Sequence, residues 1–268
     1  MSDSRNSGPV LVERGGAVAT VTLNDAEHGN RMSPLTTEAI LSDEFRALSR
    51  DRTTRAIVLR AEGPDFCLAG HHPDPGPPTY AADADAGSVE RLAHGYAYGV
   101  VWEALAGVTK PIIAAVRGRC EGGGLGLVLG CDLVVLGRSA RLRATDVEAG
   151  RSLFSPMART LTRAVGKHRA MELIVLGRQF GARDLAALDI SAETVPDEDV
   201  EEEALRRAAA IAARPPLAVA FARGLVRRAV DEMADYPVTR SWAYHSISVS
   251  AGPGSPGSRE PSNGSVRP

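Results

Sequence analysis

The chain has 268 residues, and its 31 lysines and arginines against 33 aspartates and glutamates leave a formal net charge of −2. That length can bury one substantial core, or a core with a small appended unit, and so mild a charge gives no reason to expect a nucleic-acid partner. No apolar run is long enough to span a membrane, and the N-terminal Met-Ser-Asp-Ser-Arg-Asn-Ser-Gly lacks the apolar centre of a signal peptide, so a cytoplasmic protein is expected.

In chain order, Val10–Arg14 and Ala17–Leu23 alternate around Gly15-Gly16 and predict a hairpin. Asn24 to Pro34 reads as a loop, and Thr36–Ser49 has helical spacing with Pro34 just before its start. Ala56–Arg60 is a short strand, Glu62–Pro78 a loop rich in Gly, Pro and Asp, and Ser88–Ala106 a helix. Ile112 to Val116 is an apolar run that reads as a buried strand; it breaks at Gly118, and Gly122-Gly123-Gly124 then leads into a small-residue helix from about Leu125. Leu133–Leu136 and Ala140–Arg143 are short strands, followed by helices over Met157–Val165, His168–Leu176, Ala182–Ala187, Asp197–Ala213 and Pro216–Ala234. From Gly252 onward Gly, Ser and Pro dominate, a composition that cannot bury enough to order itself. Strands alternating with helices in the first half, and helices alone in the second, indicate α/β with a helical C-terminal region.

The glycine triplet carries most of the chemistry. Glycines at a helix entrance leave the first turn's N–H groups bare, and such an entrance holds an oxygen that becomes negative during a reaction. A tight turn before a closely packed helix uses the same residues. Dinucleotide binding is disfavoured, because Gly124-x-Gly126-x-x-x-Gly130 has the wrong spacing and no Tyr-x-x-x-Lys occurs. Cys67, Cys120 and Cys131 show no metal spacing and read as reduced, packed thiols. His71-His72 with Asp74 is a weak metal candidate, since adjacent residues of an extended chain point opposite ways.

Lys110-Pro-(apolar)5-Arg-Gly-x-x-x-Gly-Gly-Gly-x-x-Leu-x-x-x-Cys-Asp, with Thr162-Arg-Ala-Val-Gly-Lys-x-x-Ala-Met-Glu172 downstream, resembles the crotonase superfamily of enoyl-CoA hydratases and isomerases. Ala56-Ile-Val-Leu-Arg-Ala-Glu-Gly-x-x-Phe-Cys67 and Leu176-Gly-Arg-x-Phe-x-Ala182 agree, so the likeness runs from about Val10 to Trp242. The resemblance implies an α/β fold: a crotonase-like spiral of ββα units with a C-terminal α-helical trimerisation region, as a homotrimer or a dimer of trimers. On that basis residues 1–9 are a flexible start, 10–195 the core, 196–250 the helical oligomerisation region and 251–268 a disordered tail. The resemblance also implies two backbone N–H groups on a thioester carbonyl oxygen, with coenzyme A arriving as part of the substrate and no separate cofactor. By motif position one donor is Gly123. The other falls at Gly70 within Phe66-Cys67-Leu68-Ala69-Gly70-His71, or at His71 if the register slips by one. Cys67, Leu68, Ala69, His71 and Gly122 are the neighbouring substrate-binding candidates. Such donors stabilise an enolate by about 3–4 kcal/mol each.

Two departures from the family pattern bear on the reaction. Hydratases use two glutamates; the first position holds Gly126 here, and the second holds Asp146, an acid shortened by one methylene. A shift of about 1 Å in a proton-transferring group costs on the order of 100-fold in rate, so a different substrate placement or reaction is implied. Asp146 is the leading catalytic candidate, against a turn-capping role. Glu148 and Glu121 are reserve carboxylates, the latter equally readable as a solvated turn residue. Arg223, Arg227 and Arg228 fit either a coenzyme A phosphate or a solvated helix face. The second departure is the Gly/Ser/Pro tail, which replaces the segment that in the family covers the adenine; an acyl carrier protein or a free β-dicarbonyl compound therefore stands beside acyl-CoA as substrate. Single-acid chemistry, namely double-bond isomerisation or cleavage or cyclisation of a β-keto compound, fits better than hydration. The alternative is an inactive acyl-thioester-binding or scaffold member.

Overall fold

A computed structural model of the chain describes residues 8–32, 37–69, 100–149, 153, 157–188 and 192–231. Two strands, β1 (Val10–Gly15) and β2 (Val18–Leu23), precede helix α1 (Thr37–Arg50), strand β3 (Ala56–Ala61) and a helical stretch, α2, at 100–107. Then come β4 (Ile112–Val116), β5 (Arg119–Glu121), α3 (Gly123–Gly130), β6 (Leu133–Gly137), β7 (Arg141–Arg143) and α4 (Met157–Ile174). The last elements are β8 (Phe180–Gly181), α5 (Leu185–Leu188), β9 (Glu193–Val195), α6 (Val200–Ala212) and α7 (Pro216–Asp231). The tail from Gly252 and most of the expected helix over Ser88–Ala106 lie outside the described residues.

A six-stranded sheet runs β1-β2-β3-β4-β6-β9, antiparallel only between β1 and β2. Its central strands are continuous apolar runs because both faces are covered. Ile57 and Leu59 of β3 face the larger core, with Leu41, Phe45 and Leu48 of α1, whose spacing lays them on one helical face. Ala56 and Val58 face the other way, where α6 presents Val200, Ala204 and Ala208 at every fourth position. Alanines there let the helix sit close on the sheet. Glu201, in the first turn of α6, accepts hydrogen bonds from Arg60 and, at 2.6 Å, from Arg117. The charge complements the positive end of that helix.

The Lys110-Pro motif is part of the scaffold. The Lys110 ammonium donates to the carbonyls of Leu48 and Asp51 at the end of α1, where a cation meets the helix's negative pole. Gly118, at φ +62°, occupies a turn where a Cβ would meet the Pro64 carbonyl oxygen at 2.0 Å, so only glycine fits.

Several local expectations are revised. Strand β5 is short, with only Cys120 turned inward, and its partners are distant in sequence: β5, β7 and β8 form a separate three-stranded sheet. Helix α3 begins at Gly123, not near Leu125. The two helices expected on either side of residue 166 abut as α4, kinked at Gly166 (φ 76°, ψ 165°). The helix expected over Ala182–Ala187 is one turn, Leu185–Leu188.

Candidate active site

Three parallel segments end together. The backbones of Cys67 and Cys120, both free thiols, pair as an isolated parallel β-bridge, and β5 pairs with β7 in parallel register with Glu121 opposite Arg143. Residues just past the carboxyl ends of these segments are therefore neighbours: Leu68 and Ala69, Gly122 and Gly123, Thr145 and Asp146. Carboxyl ends of parallel strands are where open α/β sheets bind ligands.

Gly122 is buried with φ 50° and ψ −117°. Its N–H donates to the Arg143 carbonyl at 3.1 Å, locking the turn to β7. The next N–H, that of Gly123, opens α3, and among the described residues it forms no hydrogen bond. A donor held by a rigid turn at a helix's positive pole suits a developing oxyanion. The packing around it is close. A Cβ on Gly123 would meet the Met32 side chain at 2.8 Å, and one on Gly124 would meet Cys67 Cβ at 2.4 Å.

Gly70 and His71, the candidates for the second donor, lie outside the described residues, as do His72 and Asp74. The strand-like segment leading to them is tightly held. The Phe66 and Cys67 N–H groups donate to the Arg119 carbonyl at 2.9 and 3.1 Å, and the Leu68 N–H donates to Gly29 O at 2.8 Å. Ala69 is gripped on both sides: its N–H donates to Glu121 Oε2 at 2.9 Å, and its carbonyl accepts from Arg31 Nε at 2.9 Å. Glu121 is therefore more than a solvated turn residue, for one of its oxygens holds Ala69, the residue before Gly70.

Asp146 is half-buried at the start of a turn closed by the Ala149 N–H on the Thr145 carbonyl, 3.1 Å. Glu148, two residues on, faces solvent: its side chain is 62% exposed and pairs with Arg143 at 2.6 Å. The environment thus separates the two acids: Asp146 is half-buried and follows Thr145, whose side chain lies against Gly122, whereas Glu148 is largely exposed. Gly126 is buried within α3 and carries no acid to oppose it.

The Arg223 and Arg227 guanidinium groups are engaged within the protein. Arg223 Nε donates to Asp132 Oδ2 at 2.8 Å and Arg227 Nε to Asp132 Oδ1 at 3.0 Å, while Asp132 Oδ2 also accepts the Ile112 N–H at 2.8 Å. They dock α7 onto the start of β4, and Asp132 is structural, as its place at a strand entry suggests. The Arg228 side chain lies outside the described residues. Cysteine chemistry is disfavoured: burial pushes the Cys120 and Cys131 thiols up, so both stay protonated near neutrality. Among the described residues no His, Cys, Asp and Glu side chains group as a metal site.

Asn30 and Thr145 had no mark in the sequence reading. Asn30 adopts φ 52° and ties three segments: its Oδ1 accepts the Asp25 N–H, and its amide donates to the Glu62 and Asp65 carbonyls at 2.8 and 3.1 Å. The Gly29-Asn30 pair was the available signal, since asparagine tolerates left-handed backbone.

Known proteins match this arrangement along most of the chain. Residues 13–240 match the family model described as enoyl-CoA hydratase/isomerase. A putative enoyl-CoA hydratase of Thermus thermophilus is 32% identical over 226 residues, 81% of this chain and 83% of that protein. The 1,2-epoxyphenylacetyl-CoA isomerase of Escherichia coli is 32% identical over 225 residues, 82% and 80% of the two chains. Among solved structures, an enoyl-CoA hydratase of Geobacillus kaustophilus superposes with TM-score 0.72 at 28% identity, covering 90% of this chain and 88% of that one. A probable enoyl-CoA hydratase of Mycobacterium thermoresistibile gives 0.76 at 26% identity, covering 90% and 96%. The fold is the crotonase fold, and the chain belongs to the enoyl-CoA hydratase/isomerase family.

Proposed function

We propose that this chain is an enzyme that stabilises the enolate of an acyl thioester, with the Gly123 N–H and the N–H at Gly70 on the carbonyl oxygen and Asp146 moving the proton. Coenzyme A enters as part of the substrate, and no further cofactor is required. The observation that carries the reading is the Gly123 N–H at the head of α3, unpartnered among the described residues and set by the buried Gly122 turn beside the segment that holds Asp146.

A glycine at position 126 leaves one acid where hydration needs two. A single carboxylate removes a proton from one carbon and returns it to another while the oxyanion donors hold the intermediate. Double-bond isomerisation is such a reaction, and cleavage or cyclisation of a β-keto compound is another. The test is turnover of crotonyl-CoA and of a 3-enoyl-CoA by the wild type and Asp146→Ala. Isomerisation of the 3-enoyl ester, reduced by on the order of 10²–10⁴-fold in the variant, supports the reading. Tight thioester binding without turnover of either supports an inactive binding protein instead.

We also propose that α7 joins copies of the chain into a trimer. Leu217, Phe221 and Leu225 recur every fourth residue and are 61–69% exposed, an apolar stripe of the kind a partner surface covers.

A further inference from the structure

We propose that Thr145 contacts the substrate, its hydroxyl bonding an oxygen on the acyl chain and making the site selective for 3-oxo- and 3-hydroxyacyl thioesters over hydrocarbon acyl groups. The inference rests on the acyl-thioester reading above and narrows its substrate class.

The side chain is out of place by every local criterion. Thr145 is 7% exposed, and its Oγ1 is buried without a hydrogen-bond partner among the described residues. Buried hydroxyls are nearly always paired, because leaving one unpaired costs free energy. Valine has almost the same shape without the cost, so packing does not explain the hydroxyl. Nor does Oγ1 cap the turn that follows: the Ala149 N–H is taken by the Thr145 main-chain carbonyl.

Its position supplies the reason. Thr145 Oγ1 lies 3.0 Å from where a Cβ on Gly122 would stand, directly over the turn that presents the Gly123 N–H. Its chain neighbour is Asp146. The hydroxyl therefore lies against the turn that carries the Gly123 N–H and belongs to the residue before Asp146; in the proposed pose the first acyl carbons pass beside it. A hydroxyl both donates and accepts, so it satisfies either a carbonyl or an alcohol there. A methylene chain leaves it unpaired, and a site with a buried polar group discriminates strongly against ligands that cannot pair with it.

The experiment compares wild type, Thr145→Val and Thr145→Ser by calorimetric titration with acetoacetyl-CoA and with butyryl-CoA. Thr145→Val is expected to bind acetoacetyl-CoA about ten- to hundredfold more weakly and butyryl-CoA within about twofold of wild type, with no loss of melting temperature; Thr145→Ser is expected to keep the wild-type ratio. Equal weakening of both ligands, or of neither, overturns the proposal. If wild type binds both esters but turns over no thioester, the enolate chemistry fails while the affinity ratio still decides Thr145. If wild type binds neither, both fall.

Discussion

Glu121 Oε2 accepts the N–H of Ala69 at 2.9 Å, so a carboxylate at the end of β5 holds the residue that precedes Gly70, the proposed second donor. The pair joins residues 52 apart along the chain. Replacing Glu121 with leucine leaves the Ala69 N–H unpaired, at a cost of about 1–3 kcal/mol. The expected result is a kcat lower by about tenfold or more, with a fall in melting temperature of about 2–4 °C per kcal/mol. Glu121→Gln keeps the acceptor and should retain most of the activity. A kcat unchanged in Glu121→Leu would show that the anchor does not position the donor.

Gly124 touches the same segment through packing. Alanine there brings its Cβ to 2.4 Å from Cys67 Cβ, an overlap that costs about 1–3 kcal/mol. Gly124→Ala is expected to lower thermal stability and activity together. Adding Cys67→Gly removes the opposing atom and should recover part of both, a coupling that a double-mutant cycle measures.

Asp132 holds α7 through Arg223 and Arg227. The Arg223 side chain is only 8% exposed, so Asp132→Ala strands two cations and is expected to cost about 3–5 kcal/mol. Chemical denaturation reads the loss. If α7 carries the contact between copies, light scattering should show dissociation in the same variant at lower protein concentration.

Stability should fall with acid for a definable reason. Burial raises the Asp65 carboxyl, but hydrogen bonds from the Arg119 guanidinium and main-chain N–H outweigh it and leave the group below its ordinary value. Hydrogen bonds from Arg206 and Arg207 lower Glu203 to about 2. Groups with lowered native values stabilise the fold above their unfolded value near 4 and lose that contribution as the pH falls through the native one. The melting temperature is expected to be level from neutrality to about pH 5, then to drop between about pH 4 and 2. In Asp65→Asn the neutral-pH value should be lower and the acid decline shallower.

Much of the scaffold was legible because it is local. The β1–β2 hairpin, the buried β4 and the glycine turn each announce themselves within a few residues. Asp146 was singled out by its place in the strand-to-loop segment 140–150, a feature of the family pattern. What failed was non-local. Strand β5 has three residues and makes sense only beside β7. Arg223 and Arg227 read as phosphate ligands or a solvated face because Asp132 lies 91 and 95 residues away. Glu121 read equally as a reserve carboxylate and a turn residue until Ala69 was brought against it, and Thr145 is an ordinary threonine until its hydroxyl is buried without a partner among the described residues.

The central claim is that the Gly123 N–H holds the thioester oxygen as charge develops, and proline can remove that one atom. Position 123 is the first residue of α3, where proline keeps the helix. Any Cβ there meets Met32 at 2.8 Å, so Met32→Ala accompanies both Gly123→Ala and Gly123→Pro. The decisive quantity is the ratio of kcat between these two proteins on the thioester they turn over. With matching circular dichroism, the proline variant is expected to be slower by about 10²–10³-fold. Equal kcat in the two would contradict the account.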